Sequence, residues 1–110
     1  MAAMTELVTR EVNGPGDAWA LLGLVAGGWQ IIILEVPAEA RGHGHGTALL
    51  KRICREADAA GDELTLLPLG ETAEETMTLR AWYRRFGFAD GAANSWGMAA
   101  MRRPAKVGSR

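Results

Sequence analysis

Between Glu35 and Ile53 the chain reads EVPAEARGHGHGTALLKRI, and three alternate glycines, Gly42, Gly44 and Gly46, stand behind Arg41 and ahead of an apolar-periodic stretch. A glycine-rich loop that leaves a strand and enters a helix aims several unpaired backbone N–H groups at one point, and the helix dipole adds roughly half a positive charge there. Such a place holds an anion, and a pyrophosphate is its natural occupant. Glycine serves it by permitting positive φ and close approach of the backbone to the ligand. The spacing Arg41-x-x-Gly44-x-Gly46 has no Gly-Lys-Ser/Thr as in a nucleotide P-loop, and it is not the Gly-x-Gly-x-x-Gly of dinucleotide folds. His43 and His45 bring two imidazoles close together, but no Cys or acidic ligand accompanies them, so no metal is expected. Cys54 falls on the apolar face of the following helix, where burial raises a thiol's pKa, and is read as a core thiol rather than a nucleophile.

The elements that must position these residues follow from punctuation and period. Glu6 to Val12 reads as a strand stopped by the turn residues Asn13 to Gly16. Ala18 to Ala26 reads as a second strand, and Gly27-Gly28 as the tight turn of a hairpin. Its antiparallel return, Trp29 to Val36, carries a β-branched run that implies burial on both faces and a place at the centre of the sheet. Pro37 cannot donate to a ladder, so the chain leaves the sheet there. From Thr47 the period becomes helical, with Ala48, Leu49, Leu50, Ile53, Cys54 and Ala57 on one face, and Gly61 closes the helix. Glu63 to Leu69 then pairs parallel to the Trp29 strand through a right-handed crossover. Thr72-x-x-Glu75 is a capping box opening a second helix to Phe86, with Glu71 and Glu74 beside it. Gly87 to Asp90 begins an irregular or extended segment, and Ser95 to Met101 reads as the last strand. The expected organisation is one domain over residues 1–101 and a disordered tail over 102–110, whose apolar surface is too small to order it.

Composition bounds the function classes. A chain of 110 residues with 48% hydrophobic content fits a single core. Twelve basic against thirteen acidic residues give a net charge of −1, so no global field favours nucleic acid or an anionic membrane. Any anion site must be local. The lone Cys54 makes no intramolecular disulfide, the N-terminus shows no secretory pattern, and no segment approaches the ~20 apolar residues that span a bilayer. A soluble cytoplasmic protein is expected.

Two motifs carry a resemblance. LEVPAEARGHGHG resembles the signature Arg/Gln-x-x-Gly-x-Gly/Ala of the GCN5-related N-acetyltransferases (GNAT), which follows a strand often ending Leu-x-Val-x-Pro. Downstream, LRAWYRRFGF is similar to that family's second block, with Tyr83, Gly87 and Phe88 matching. The resemblance spans Trp19 to Met101 and implies a mixed, mostly antiparallel α/β sheet with a βαβ cofactor-binding unit. The two N-terminal helices usual in the family have no space before the first hairpin, a brevity similar to that of small phage-encoded acetyltransferases.

The resemblance also implies roles. Acetyl-coenzyme A would be the cosubstrate and a primary amine, on a protein lysine or a small molecule, the acceptor, with direct attack and no covalent enzyme intermediate. Backbone groups near Leu34 and Val36 would pair with the pantetheine arm. N–H groups from Gly42 through His43, Gly44, His45 and Gly46 to Thr47 would hold the pyrophosphate, with Arg41 ordering the loop or reaching a phosphate. Tyr83 would protonate the departing thiolate, which a phenol of pKa ~10 does at neutral pH. The glutamate that histone-modifying relatives place early in the central strand falls near Gln30, which does not titrate; Glu35 would serve as the base through water, or stand as a solvent-facing strand residue. Two other classes stay open: a catalytically silent coenzyme A-binding module, and an interaction protein that antagonises a host factor. A homodimer could supply a missing wall of the acceptor cleft.

Overall fold

The computed structural model describes residues 8–93 and 99–106 of the chain. Six strands form one sheet in the order β1-β2-β3-β4-β6-β5, where β1 is Thr9–Asn13, β2 Trp19–Val25, β3 Gly28–Glu35, β4 Glu63–Leu66, β5 Ala89–Ala93 and β6 Ala99–Arg103. Every neighbouring pair is antiparallel except β3 and β4, which run parallel around the helix α1, His45–Ala60. The mixed, mostly antiparallel sheet and its βαβ unit are those the sequence implies. Between β1 and β2 there is a single 3-10 turn, Pro15–Asp17, and no helix. No helix of the described residues is long and apolar enough to cross a membrane.

The helical period of α1 is realised as burial. Leu49, Leu50, Ile53, Cys54 and Ala57 face Val12, Ala20, Leu22, Ile31 and Leu64 of the sheet in one cluster. Leu49 and Leu50 lose all solvent contact, each contributing roughly 1.5–3 kcal/mol. The helix ends as expected at Gly61, with Gly61 N–H donating to Asp58 and Asp62 N–H to Ala57. It begins two residues earlier than its apolar period shows, so His45 and Gly46 lie in its first turn.

Three expectations shift. The hairpin turn is Ala26-Gly27, and Gly28 belongs to β3, paired with Val25 and Glu63; glycine is needed there because a Cβ would lie 1.9 Å from the carbonyl oxygen of Glu63 at the start of β4. β3 is not buried on both faces: Ile31 is buried while Gln30 and Ile32 are exposed, since α1 covers one side of this strand. Within the expected disordered tail, Arg102 and Arg103 are instead part of β6. Arg102 pairs with Thr65 and Arg103 with Leu64 in β6, and Arg103 is 4% exposed. A charged side chain carries that segment instead of apolar area. Arg103 donates to both oxygens of Asp58 on α1 (2.8 and 2.9 Å) and to the carbonyl of Phe86 (2.7 Å), while Lys106 N–H donates to Asp58. The strand expected from Glu6 starts, within the described residues, at Thr9; residues 94–98, where the last strand was expected to begin, lie outside them.

Candidate active site

The second helix, α2, is Ala73–Arg84; Thr72 caps it as expected, while the Glu75 side chain reaches one residue further back than a capping box requires, to Glu71 rather than to Thr72. Thr72 Oγ1 accepts from Glu75 N–H at 3.1 Å, and the Glu75 carboxylate accepts from Glu71 N–H at 2.7 Å. So fixed, the helix presents Leu79 and Tyr83, four residues apart, to the gap between β3 and β4.

That gap has a geometric cause. The parallel ladder runs only over Gly28–Gln30 against Glu63–Thr65. On the other edge of β3, Leu21 pairs with Ile33 and Leu22 with Ile31, which leaves Ile32 as an extra residue. A β-bulge bends its strand and sharpens the local twist. The strands touch closely at Gly28 and separate beyond Gln30. Ile31 to Glu35, Leu66 to Leu69, Leu79 and Tyr83 line the resulting cleft of about 240 Å³. Among the described residues the β4-facing edge of β3 beyond Gln30 has no strand partner, a ladder edge that an extended ligand chain can join.

Tyr83 is buried, packed edge-on against Trp82 (4.9 Å between ring centres) and Phe88 (5.5 Å). Desolvation pushes its phenol pKa up, so the proton stays on Oη well past neutrality. Glu35, the last residue of β3, lines the same cleft. It also lines a wider opening of about 1060 Å³ with Arg41, Leu69 to Thr72, Glu74, Glu75, Thr78 and Leu79. Leu34 is half-buried in the cleft wall.

The glycine loop lies beside this cleft. Gly42 and Gly44 have φ of 85° and 77°, with nothing within 4 Å of where a Cβ would stand. Gly46 is different: a Cβ there would meet Val36 Cγ2 at 3.2 Å and the Trp82 ring at 3.9 Å. Two glycines therefore serve the backbone turn, and the third lets the first turn of α1 seat against β3 and α2. Gly44 caps α1 in the left-handed conformation with no side-chain hydrogen bond, and the first intrahelical bond is Ala48 N–H to Gly44. The N–H groups of His45, Gly46 and Thr47 thus head the helix without an intrahelical acceptor. Arg41 orders the loop, its Nε donating to the Val36 carbonyl at 3.0 Å. That carbonyl is thereby engaged within the chain, and of the two β3-end positions expected to meet pantetheine only Leu34 keeps its carbonyl outside this bond. His43 and His45 stand 5.8 Å apart with tilted rings, His45 lying over Gly16. Among the described residues no three His, Cys, Asp or Glu gather as metal ligands. Cys54 is buried and its pKa raised, desolvation being the main cause.

Sequence reasoning misses the bulge at Ile32; it weighs Glu71, Glu74 and Glu75 as an attraction for a cationic acceptor but favours helix capping, and all three line the wide opening with Glu35. The only signal for the opening was the run of glutamates around the capping box.

The family model described as "Acetyltransferase (GNAT) domain" matches residues 9–90. No curated protein matches the sequence. Among solved structures, the ribosomal-protein-S18-alanine N-acetyltransferase of Escherichia coli is similar with a TM-score of 0.68 at 20% identity, over 93% of this chain and 72% of that one. The anti-CRISPR protein AcrVA5 gives 0.67 at 17% identity, over 86% of this chain and 96% of that one. The PaiA N-acetyltransferase of Thermoplasma acidophilum, solved with coenzyme A, gives 0.61 at 16% identity, and the match spans 52% of its length. At these identities the likeness is one of fold.

Proposed function

The chain belongs to the GNAT acetyltransferase family, and on that premise we propose that it acts as one domain that transfers an acetyl group from acetyl-coenzyme A to a cationic primary amine. Acetyl-coenzyme A is the donor of this family's chemistry and supplies a thioester carbonyl open to attack by the free amine. The residues present fit it. His45, Gly46 and Thr47 offer free N–H groups to a pyrophosphate at the head of α1, and the unpaired edge of β3 near Leu34 offers a ladder to an extended amide-bearing arm. The complex of the PaiA enzyme with coenzyme A supports the same reading.

The chain's own residues then divide the work. Tyr83 Oη holds a proton at neutral pH in a buried wall of the cleft and delivers it to the departing sulfur. Glu35, shared by the cleft and the wide opening, takes the proton of the incoming ammonium through water. Glu71 and Glu74 draw a cation into that opening, which is broad enough for a lysine presented on a protein surface. The observation that carries the proposal is the β3–β4 cleft, walled by Tyr83 and opening past Glu35 beside the uncapped head of α1. Mass spectrometry of lysine-bearing proteins and free polyamines incubated with acetyl-coenzyme A tests it, a mass gain of one acetyl group being expected. Co-purified coenzyme A with no transfer to any amine would support a silent binding module instead. The likeness to AcrVA5 over nearly all of that chain favours a second reading, action against a host protein. If a target is inhibited as well by Tyr83→Phe as by wild type, occupancy rather than acetylation is the mode.

A further inference from the structure

The cations of the described residues sort into two groups. Six are held by carboxylates: Arg10 and Arg52 by Glu56, Arg80 and Arg84 by Asp90, Arg102 by Glu63 and Arg103 by Asp58. Arg41 is turned to the Val36 carbonyl. The remaining four, Lys51, Arg55, Arg85 and Lys106, have no carboxylate within ion-pair distance among the described residues, and all four line one pocket of about 300 Å³. Its only acid is Asp58, whose two oxygens already accept from Arg103 and from Lys106 N–H. In a chain of net charge −1, this concentration of uncompensated positive charge is local. Like charges gathered without counterions repel one another, and a bound anion relieves that repulsion.

The pocket lies along α1 from the anion-holding end. Trp82 flanks Gly46 at the head of α1; Arg85 and Phe86, just past the end of α2, and Lys51, some 9 Å along the α1 axis from His45 at 1.5 Å per residue, border the pocket. Coenzyme A carries a pyrophosphate and, across one ribose, a separate phosphate monoester. With the first at the head of α1, the second falls within reach of the long Lys51 and Arg85 side chains. The cations surround a concavity rather than forming a stripe, which suits one compact phosphate better than a polynucleotide backbone.

We propose that the pocket between α1 and the end of α2 is a phosphomonoester subsite, with Lys51 and Arg85 binding the 3′-phosphate of the coenzyme A adenosine and Arg55 and Lys106 adding charge behind them. This rests on the acetyl-coenzyme A reading above. Calorimetry on the full chain with coenzyme A and with 3′-dephospho-coenzyme A tests it, in wild type and in Lys51→Ala/Arg85→Ala. Wild type should prefer coenzyme A by about tenfold or more, the worth of one charge-assisted hydrogen bond. The double variant should bind both forms alike, at the wild-type affinity for the dephospho form, while Lys51→Arg/Arg85→Lys keeps the preference. A preference absent from wild type, or undiminished in the alanine variant, overturns the subsite while leaving coenzyme A binding in place. Wild type binding neither form overturns the donor reading itself. Inorganic phosphate that saturates the pocket without weakening coenzyme A would show an independent anion there and overturn the assignment to the cofactor.

Discussion

The head of α1 and the cleft between β3 and β4 lie side by side, yet they are built by opposite means. The head of α1 is made of backbone: glycines at positive φ, a helix start without a side-chain cap, and an arginine clamping the loop to Val36. The cleft is made by a fault in a ladder, where one extra residue at Ile32 parts two strands and lets α2 fill one wall with Tyr83. On the proposed reading, changes in the first construction should alter how tightly an anion is held. The second would admit the pantetheine arm and bring the reacting groups together, so a lost side chain there should appear in rate and closure of the cleft in binding as well.

The sharpest way to break this contrast is to delete Ile32. Removing the bulged residue lets Leu21-Leu22 pair in regular register with Ile31-Ile33, and the parallel ladder to β4 can extend past Gln30. Ile32 is 41% exposed, so little packing is lost. The variant should melt near the wild-type temperature and show no measurable coenzyme A binding or turnover. Retained binding would mean that something other than the bulge holds the cleft open.

Tyr83→Phe should separate rate from affinity. The ring keeps its contacts with Trp82 and Phe88, and only the hydroxyl is lost. Single-turnover acetyl transfer should fall about 10²- to 10⁴-fold with stability and coenzyme A affinity nearly unchanged. The acid works while protonated and burial raises its pKa, so loss of its proton should not limit the wild-type rate until above pH 10. Equal single-turnover rates in wild type and variant would make Tyr83 a packing residue.

Scaffold and chemistry should also come apart at Asp58. Asp58→Asn leaves Arg103 buried without its charge partner, which should cost about 2–3 kcal/mol of stability in urea titration while the per-molecule rate of folded enzyme stays level. The Arg103 hydrogen bond holds the Asp58 pKa below its usual range. Its stabilisation is therefore present above about pH 4 and lost as pH falls through the lowered value. Wild type should lose stability in that acid window more steeply than Asp58→Asn.

What could be read in the sequence follows the same division. Glycine is favoured where φ turns positive, as at Gly42 and Gly44, so the loop announced itself in residue type, as did the two helices through period, caps and closing glycine. No residue type demands a bulge inside three consecutive isoleucines, and the cleft it opens was unreadable except through resemblance. β5 was read only as irregular or extended because Ala89, Asp90, Gly91 and Ala93 have poor strand propensity; Arg80 and Arg84 help hold it by gripping Asp90. The order of Arg102 and Arg103 was hidden because an ion pair 45 residues apart in sequence leaves no periodic trace.

Within the loop, Gly44→Val should act on affinity alone. A β-branched residue at φ 77° costs roughly 1–2 kcal/mol, which the loop would relieve by moving. Coenzyme A affinity should drop about tenfold, with the single-turnover rate at saturation close to wild type. A fall in saturated rate instead would show that the loop helps aim the thioester, and the division between holding and reacting would fail.

The smallest effect is expected from His43→Ala with His45→Ala. In this loop the backbone N–H groups would do the holding, and an alanine donates the same N–H as a histidine. His45 also covers Gly16, so its removal uncovers a little surface near the 3-10 turn and should lower the melting temperature slightly. Coenzyme A affinity should stay within about threefold of wild type, less than the effect of one hydrogen bond. Zinc should leave the wild-type melting temperature unchanged, because two imidazoles without further ligands make a weak site. A zinc-dependent rise that vanishes in the double variant would mean the loop recruits a metal, and its anion site would then owe its charge to that ion rather than to glycine backbone.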